Sequence, residues 1–269
     1  MKKNLKKITT FLIINFTLSS IFYYLIIKSG ISIMLNVGLM WVPALSSIIT
    51  QLIFNKNIKG FGWKFGKKKY LVVSLIIPFV TCLIVYGIVW ITGMGGVSID
   101  RLTEVFHKPI NTVMIIIPTI LFLFNLIAAL GEEIGWRGFL ASELLKDYSY
   151  IKTSLIISVI WFVWHLPLII FSNYHANSTP IWYNILMAFI CITGFTLITV
   201  WIKMKSGSLW TATIFHASHN LFPQMFFDVI TIDYGKTKYV TTEFGVGIAL
   251  VYIIIAIHYL RKNRTLSYS

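Results

Sequence analysis

Residues Thr153–Ile202 read TSLIISVIWFVWHLPLIIFSNYHANSTPIWYNILMAFICITGFTLITVWI, fifty positions without an Asp, Glu, Lys or Arg. A helix rises about 1.5 Å per residue and a bilayer's hydrocarbon core is about 30 Å thick, so about 20 apolar residues cross it once. This run is therefore long enough for two crossings. The turn falls at Ser172-Asn173-Tyr174-His175-Ala176-Asn177-Ser178-Thr179-Pro180, where small polar residues and a proline interrupt the apolar pattern. Barrel strands alternate at every second residue, and this stretch does not.

Working outward, six further charge-free runs are each one span long: 8–27, 29–55, 70–99, 109–131, 206–227 and 244–260. The sequence therefore predicts an all-α integral membrane protein, a bundle of eight transmembrane helices forming a single polytopic domain over residues 1–269. The first span is too long for a signal-peptide core and lacks a small-residue cleavage site, so it is read as an uncleaved anchor. Composition agrees: 57% of the 269 residues are apolar and 12% charged, about half the charge of a soluble domain. Cys82 and Cys191 lie inside apolar runs and read as small buried hydrophobes.

The net charge of +14 is a matter of placement. Of the 23 Lys and Arg residues, 17 fall on one side: Lys2, Lys3, Lys6 and Lys7 before the first span, six lysines between Lys56 and Lys69, Lys146, Lys152, Lys203, Lys205, and Arg261, Lys262 and Arg264. Five fall on the other side, at Lys28, Arg101, Lys108, Lys236 and Lys238. The positive-inside rule then puts both termini in the cytoplasm, in the cell membrane. The aromatic and lysine-rich segment Gly60–Lys69 reads as an interfacial belt on anionic lipid, and no nucleic-acid partner is expected. Arg137 alone belongs to neither side.

Seven of the nine acids occupy connections or span ends, Glu243 among them; Glu132 and Glu133 do not. An ionisable group at membrane depth costs at least about 2.5 kcal/mol, so it reads as functional. Glu133 and Arg137 are four apart, on one helix face, where they can pair. Glu132, about 100° away, finds no such local partner and suits a general base. His165 follows Trp161 by one turn and precedes Pro167 in the fifth span. In the seventh, His216 and Asn220 share a face, with His219 beside them. Counted along their spans, the two histidines His165 and His216 lie roughly 10–17 Å below the cytoplasmic surface. A carboxylate, two imidazoles and an amide on three helices can activate water and hold an oxyanion, which is peptide hydrolysis inside the membrane.

Three motifs in order, Glu132-Glu133-x-x-x-Arg137-Gly138, Trp161-x-x-x-His165 and His216-x-x-x-Asn220, resemble those of the CPBP family, the CAAX-type and bacteriocin-processing intramembrane proteases, also called type II CAAX prenyl endopeptidases. The resemblance covers about residues 113–225 and departs from the pattern at Trp161, where Phe is usual. It implies eight helices and an endopeptidase acting on a peptide or a lipid-anchored or membrane protein near the cytoplasmic face, in CAAX-type processing or in bacteriocin maturation and self-immunity. Glu132 and His165 would activate the water, His216 and Asn220 would steady the oxyanion, and Glu133, Arg137, Trp161 and His219 would support them. The Trp161 departure is expected to alter substrate shape more than chemistry. The family has been described both as metal-free and as metal-dependent. The metal-free mechanism is favoured here, while a zinc ion on Glu132, His165 and His216 stays open. A non-catalytic immunity protein or a proton-coupled transporter is the competing class.

Overall fold

The computed structural model describes residues 2–266, with side chains described for residues 4–262; the side chains of Lys2, Lys3 and Arg264 lie outside that range. The chain runs through α1 (Lys2–Ser29), α2 (Ile33–Asn55), α3 (Lys68–Ile91), β1 (Gly95–Val97) and the short α4 (Asp100–Phe106). It continues through α5 (Ile110–Leu144), α6 (Tyr150–Phe171), α7 (Ile181–Ser206) and α8 (Leu209–Asn220). A π-helical stretch, Leu221–Phe227, and the turn Asp228–Ile230 extend α8 before β2 (Thr231–Asp233) and α9 (Val246–Leu266). Six of these helices, α1, α2, α3, α5, α6 and α7, are long and apolar enough to cross a membrane.

Their amphipathicity is turned outward. On α3, Val72, Leu75, Ile76, Phe79, Val80, Leu83, Ile84 and Ile88 are exposed at spacings of three and four, while Ser74, Thr81 and Tyr86 are buried. That is the pattern of a helix whose outer solvent is lipid. Within the bundle α5 packs between α2 and α8, and α7 packs on α6 and α9. The α2–α5 contact is close because α5 carries glycines there: a Cβ on Gly131 would lie 2.7 Å from the Met40 carbonyl oxygen, and one on Gly135 only 2.5 Å from Pro43 Cβ. Small residues one turn apart let two membrane helices approach without side chains between them. The approach buries the segment Gly131–Ala141 that carries the charged motif.

The two ends of the bundle are built differently. At one end Asn4 donates to Asp147 (3.0 Å), Leu209 N–H donates to the Gly62 carbonyl (2.7 Å), and Trp210 Nε1 donates to the Trp63 carbonyl (2.8 Å). These bonds gather the N-terminus and the 56–67, 145–149 and 207–208 connections. Trp201 and Tyr259 stack face to face at 4.1 Å on the same side, with Lys205 and Lys262 over the Trp201 ring. At the other end the sequence had predicted only connections. There β1 and β2 pair antiparallel, with Gly96 opposite Ile232, and Arg101 donates to the Thr231 carbonyl at 2.6 Å. Ser178 donates to Asp233 (3.2 Å), bringing the 172–180 connection to that end. Among the described residues the fold is thus all-α apart from one small two-stranded sheet.

Gly135→Ala should lower stability by about 1–3 kcal/mol through overpacking against Pro43. Gly138→Ala, whose Cβ would sit 3.4 Å from Phe61 Cβ, should change it little. Thermal unfolding of the two variants in detergent is the check, and equal losses would contradict the close-approach account.

Candidate active site

The motif on α5 sits where the helix changes its winding. Glu132 and Glu133 end a regular α-helical segment, and Ile134–Leu140 is π-helical. On α8, His216 and Asn220 are followed at once by the π-helical Leu221–Phe227. Single π turns inside α-helices recur at functional sites, because they re-aim side chains that a regular helix would stack.

Glu133 is fully buried and its Oε1 accepts from Arg137 Nη1 at 2.9 Å, the pairing expected from their spacing. The same oxygen lies 2.8 Å from His216 Nδ1. Arg137 has further partners: Nε donates to Thr199 Oγ1 (3.1 Å), Nη2 donates to Thr196 Oγ1 (3.2 Å), and the guanidinium lies 4.3 Å from the Trp161 ring centroid. A buried guanidinium is tolerable only when its donors are used in this way. Glu133 therefore does more than hold its own helix to Arg137: it ties α5 to the imidazole on α8.

Glu132 is 2% exposed, and the expectation that it lacks a local partner is corrected. Its Oε2 accepts from Trp161 Nε1 at 2.8 Å and from Trp136 Nε1, four residues along, at 3.3 Å. Two neutral indoles hold the carboxylate in place without neutralising it, which leaves Oε1 for a water. Trp161 thus bears on chemistry as well as shape, since a phenylalanine at that position has no N–H to give.

His165 Nδ1 lies 2.9 Å from the Trp161 carbonyl oxygen. A carbonyl only accepts, so Nδ1 carries the proton and Nε2 of the neutral ring presents a lone pair. The ring is caged by Trp161, Trp164 and Tyr174, at centroid distances of 5.3, 4.9 and 6.0 Å. His216 packs on Trp161 and Phe195. Because its Nδ1 faces the Glu133 carboxylate, His216 Nε2 becomes a donor only when the ring is protonated, whereas Asn220 donates in any state. His219 Nδ1 pairs with Tyr252 Oη at 2.9 Å, which suits a supporting role.

All four candidate catalytic residues line one cavity of about 60 Å³, together with Asn36, Met40 and Gln224. That is room for a few waters. A second lobe of about 50 Å³ runs from His165, His216 and Asn220 past Cys191 to Gln224 and Glu243. A third cavity, about 480 Å³, shares Tyr174, Gln224, Glu243 and Phe244 with that lobe. Measured from Tyr150, where α6 begins, His165 is fifteen residues in, about 22 Å at 1.5 Å per residue. It is therefore deeper from the lysine-bearing end than the sequence count suggested. Glu243, expected to be an ordinary connection residue, sits beside the site, where burial pushes its carboxyl up to about 7, and Gln224 donates to it at 2.9 Å. Gln224 extends the His216–Asn220 face by one more turn, a spacing visible in the sequence. Thr196 and Thr199, in contrast, carried no local signal. Among the described residues, no three His, Cys, Asp or Glu side chains are grouped as a metal ion would need.

Residues 109–222 match the sequence profile described as Type II CAAX prenyl endopeptidase Rce1-like. The chain is also 39% identical over 106 residues to a protein named CAAX prenyl protease 2 from Methanococcus maripaludis. That alignment covers 38% of this chain and 38% of the relative's length.

Trp161→Phe keeps the ring and removes the donor to Glu132. A hydrogen bond to a charged group contributes about 1.5–3 kcal/mol, so kcat for whatever reaction Glu132 serves should fall roughly 10–100-fold, with KM moving less. An unchanged kcat would show that Trp136 alone suffices to hold the carboxylate.

Proposed function

We propose that this chain, whose residues 109–222 match the Rce1-like type II CAAX prenyl endopeptidase profile, is an intramembrane endopeptidase that hydrolyses a peptide bond in a peptide or membrane-associated protein. The observation that carries the proposal is the meeting of Glu132, His165, His216 and Asn220 around one cavity. We further propose eight spans with both termini in the cytoplasm of a multi-pass cell-membrane protein, α8 with its extension and α9 supplying the seventh and eighth.

In the proposed reaction a water stands between Glu132 Oε1 and His165 Nε2, the two proton acceptors the site presents. Glu132 takes the proton as the oxygen attacks the carbonyl carbon, and later delivers it to the leaving amine nitrogen. Asn220 donates to the oxyanion. His216, protonated on both nitrogens, donates from Nε2 while Glu133 holds Nδ1. Arg137 offsets the charge of Glu133, so a proton on His216 adds net positive charge where the oxyanion develops. No step is routed through a metal. The motifs suit a CAAX-type tail and a bacteriocin precursor equally as substrate.

Glu132→Ala and His165→Ala are each expected to lower peptide cleavage by purified protein by about 10²–10⁴-fold, while insertion and accumulation stay at the parent level. Full activity in either variant would refute the endopeptidase reading in favour of a binding or transport role. Wild-type activity should survive a zinc chelator; loss that added zinc restores would overturn the metal-free mechanism.

A further inference from the structure

Two cavities at the lysine-bearing end of the bundle differ in charge. One, of about 180 Å³, is lined by Lys59 and Lys146 but also by Glu143, which already pairs with Lys146 and Lys7. The other, of about 430 Å³, is walled by Lys69, Lys205 and Lys262 together with Tyr70, Trp201 and Tyr259, and no acid lines it. Among the described residues neither Lys69 nor Lys205 forms an ion pair. Three ammonium groups, charged at neutral pH, thus converge on a space that holds nothing to balance them.

Aromatic rings place those groups. Tyr259 stacks on Trp201, and Tyr70 meets Trp201 edge-on at 6.3 Å. Lys205 and Lys262 Nζ lie 6.0 and 5.7 Å from the Trp201 ring centroid, and Lys69 Nζ lies 5.0 Å from that of Tyr70. A ring face attracts an ammonium without accepting its N–H groups as an oxygen would, so the donors stay available to an anion. Trp201 itself is 4% exposed, and its Nε1 is buried with no hydrogen-bond partner among the described residues. A buried donor left without an acceptor is costly. The wall therefore offers positive charge and donors, and lacks an anionic acceptor.

The level of the cavity says which anion. Lys69 is the second residue of α3 and Lys205 the last but one of α7, both helices long and apolar enough to cross a membrane. Helix α9 packs on both. Span ends lie where a bilayer's headgroups begin, whichever way the chain is inserted. Beyond the cavity, α3 exposes Val72 and Ile76 and α9 exposes Ile254 and Ile257, faces suited to acyl chains. The first turn of α3 holds no acid and has no side-chain cap, so its positive end adds to the field.

We propose that this cavity binds one anionic phospholipid, its headgroup phosphate held by Lys69, Lys205, Lys262 and the Trp201 Nε1–H, its acyl chains along α3 and α9. The bound headgroup bridges the ends of α3, α7 and α9. This is a single site, distinct from the diffuse attraction of lipid to the Gly60–Lys69 segment, and it is independent of the endopeptidase reading.

The test is native mass spectrometry of the full chain in mild detergent, with dioleoyl phosphatidylglycerol or dioleoyl phosphatidylcholine added at low mole fraction. The parent protein should retain one phosphatidylglycerol and far less phosphatidylcholine; equal retention of the two overturns the proposal. A lysine beside an anionic headgroup contributes about fivefold in affinity, so joint replacement by Lys69→Gln, Lys205→Gln and Lys262→Gln should lower phosphatidylglycerol retention by about 100-fold. Joint Lys56→Gln, Lys59→Gln and Lys64→Gln, the same charge change at the same end, should lower it by less than about fivefold. Equal losses in the two triple variants would leave only a diffuse basic surface. Trp201→Phe keeps the stacked ring and should weaken retention severalfold, while thermal unfolding in phosphatidylcholine alone stays at the parent level, because that N–H has no protein partner to lose. Retention at the parent level in either the Lys69, Lys205 and Lys262 variant or Trp201→Phe overturns the proposal. Inorganic phosphate in large excess should leave the lipid bound; its displacement would reveal a site for soluble phosphate and overturn the lipid assignment.

Discussion

The Glu133–Arg137 pair constrains everything around it. Both side chains are fully buried, and a charge moved from water to a low-dielectric interior loses solvation that mutual attraction repays only with near-complete hydrogen bonding. The remaining donors of Arg137 must therefore be met, which fixes Thr196 and Thr199 of α7 against α5. The shared carboxylate oxygen must also be reached by His216, which fixes α8. Three helices are registered by one guanidinium and one carboxylate. Since α8 then carries Asn220 one turn beyond His216, the position of the proposed oxyanion donors follows from the ion pair.

Helix geometry makes this registration possible. Consecutive helical residues point about 100° apart, so Glu132 and Glu133, which end a regular α-helical segment, face different partners; the close approach of α5 to α2 needs more than regular geometry. Gly131 and Gly135 remove the side chains that would hold α2 away, and the π-helical Ile134–Leu140 follows the two acids directly. Close approach sets the depth of the acids in the bundle. From there Glu133 faces His216 on α8 and its partner Arg137 faces α7, while Glu132 faces Trp161 on α6. Adjacent carboxylates thereby acquire different environments, one bridging a guanidinium and an imidazole, the other held by indoles.

What the sequence made legible follows from the range of each interaction. Charge-free runs are a local property, so the spans could be read directly. Pairs four residues apart are nearly local, so Glu133–Arg137 and His216–Asn220 were visible, as Glu132–Trp136 and Asn220–Gln224 would have been on the same rule. The bond from Trp161 to Glu132 spans 29 residues and those from Arg137 to α7 about 60, and no periodicity announces them. Glu243 was misjudged for a related reason: a charge in a connection looks solvated until the connection folds back over a cavity. The β1–β2 sheet was missed because three-residue strands lie below the length at which alternation can be recognised.

Under the proposed hydrolysis within a bilayer, the aromatic floor and the polar lobe would answer opposite requirements. Charge separation in the transition state is best stabilised by fixed dipoles in a dry site, where hydrogen bonds are stronger than in water. Yet one water must enter for every bond cut, and both product ends are more polar than the peptide they came from. A site open at both ends would let bulk water compete for the donors of Asn220 and His216. A site closed at both would starve. The arrangement here separates the two needs along the membrane normal. Trp136, Trp164 and Phe11 pack on the side that holds the Glu133–Arg137 pair, whose strength depends on dryness, and in the proposed reaction the narrow lobe past Gln224 and Glu243 would admit water. Charge placement is consistent with this division. Most of the lysines crowd the end away from the candidate catalytic residues, where they would attract anionic lipid.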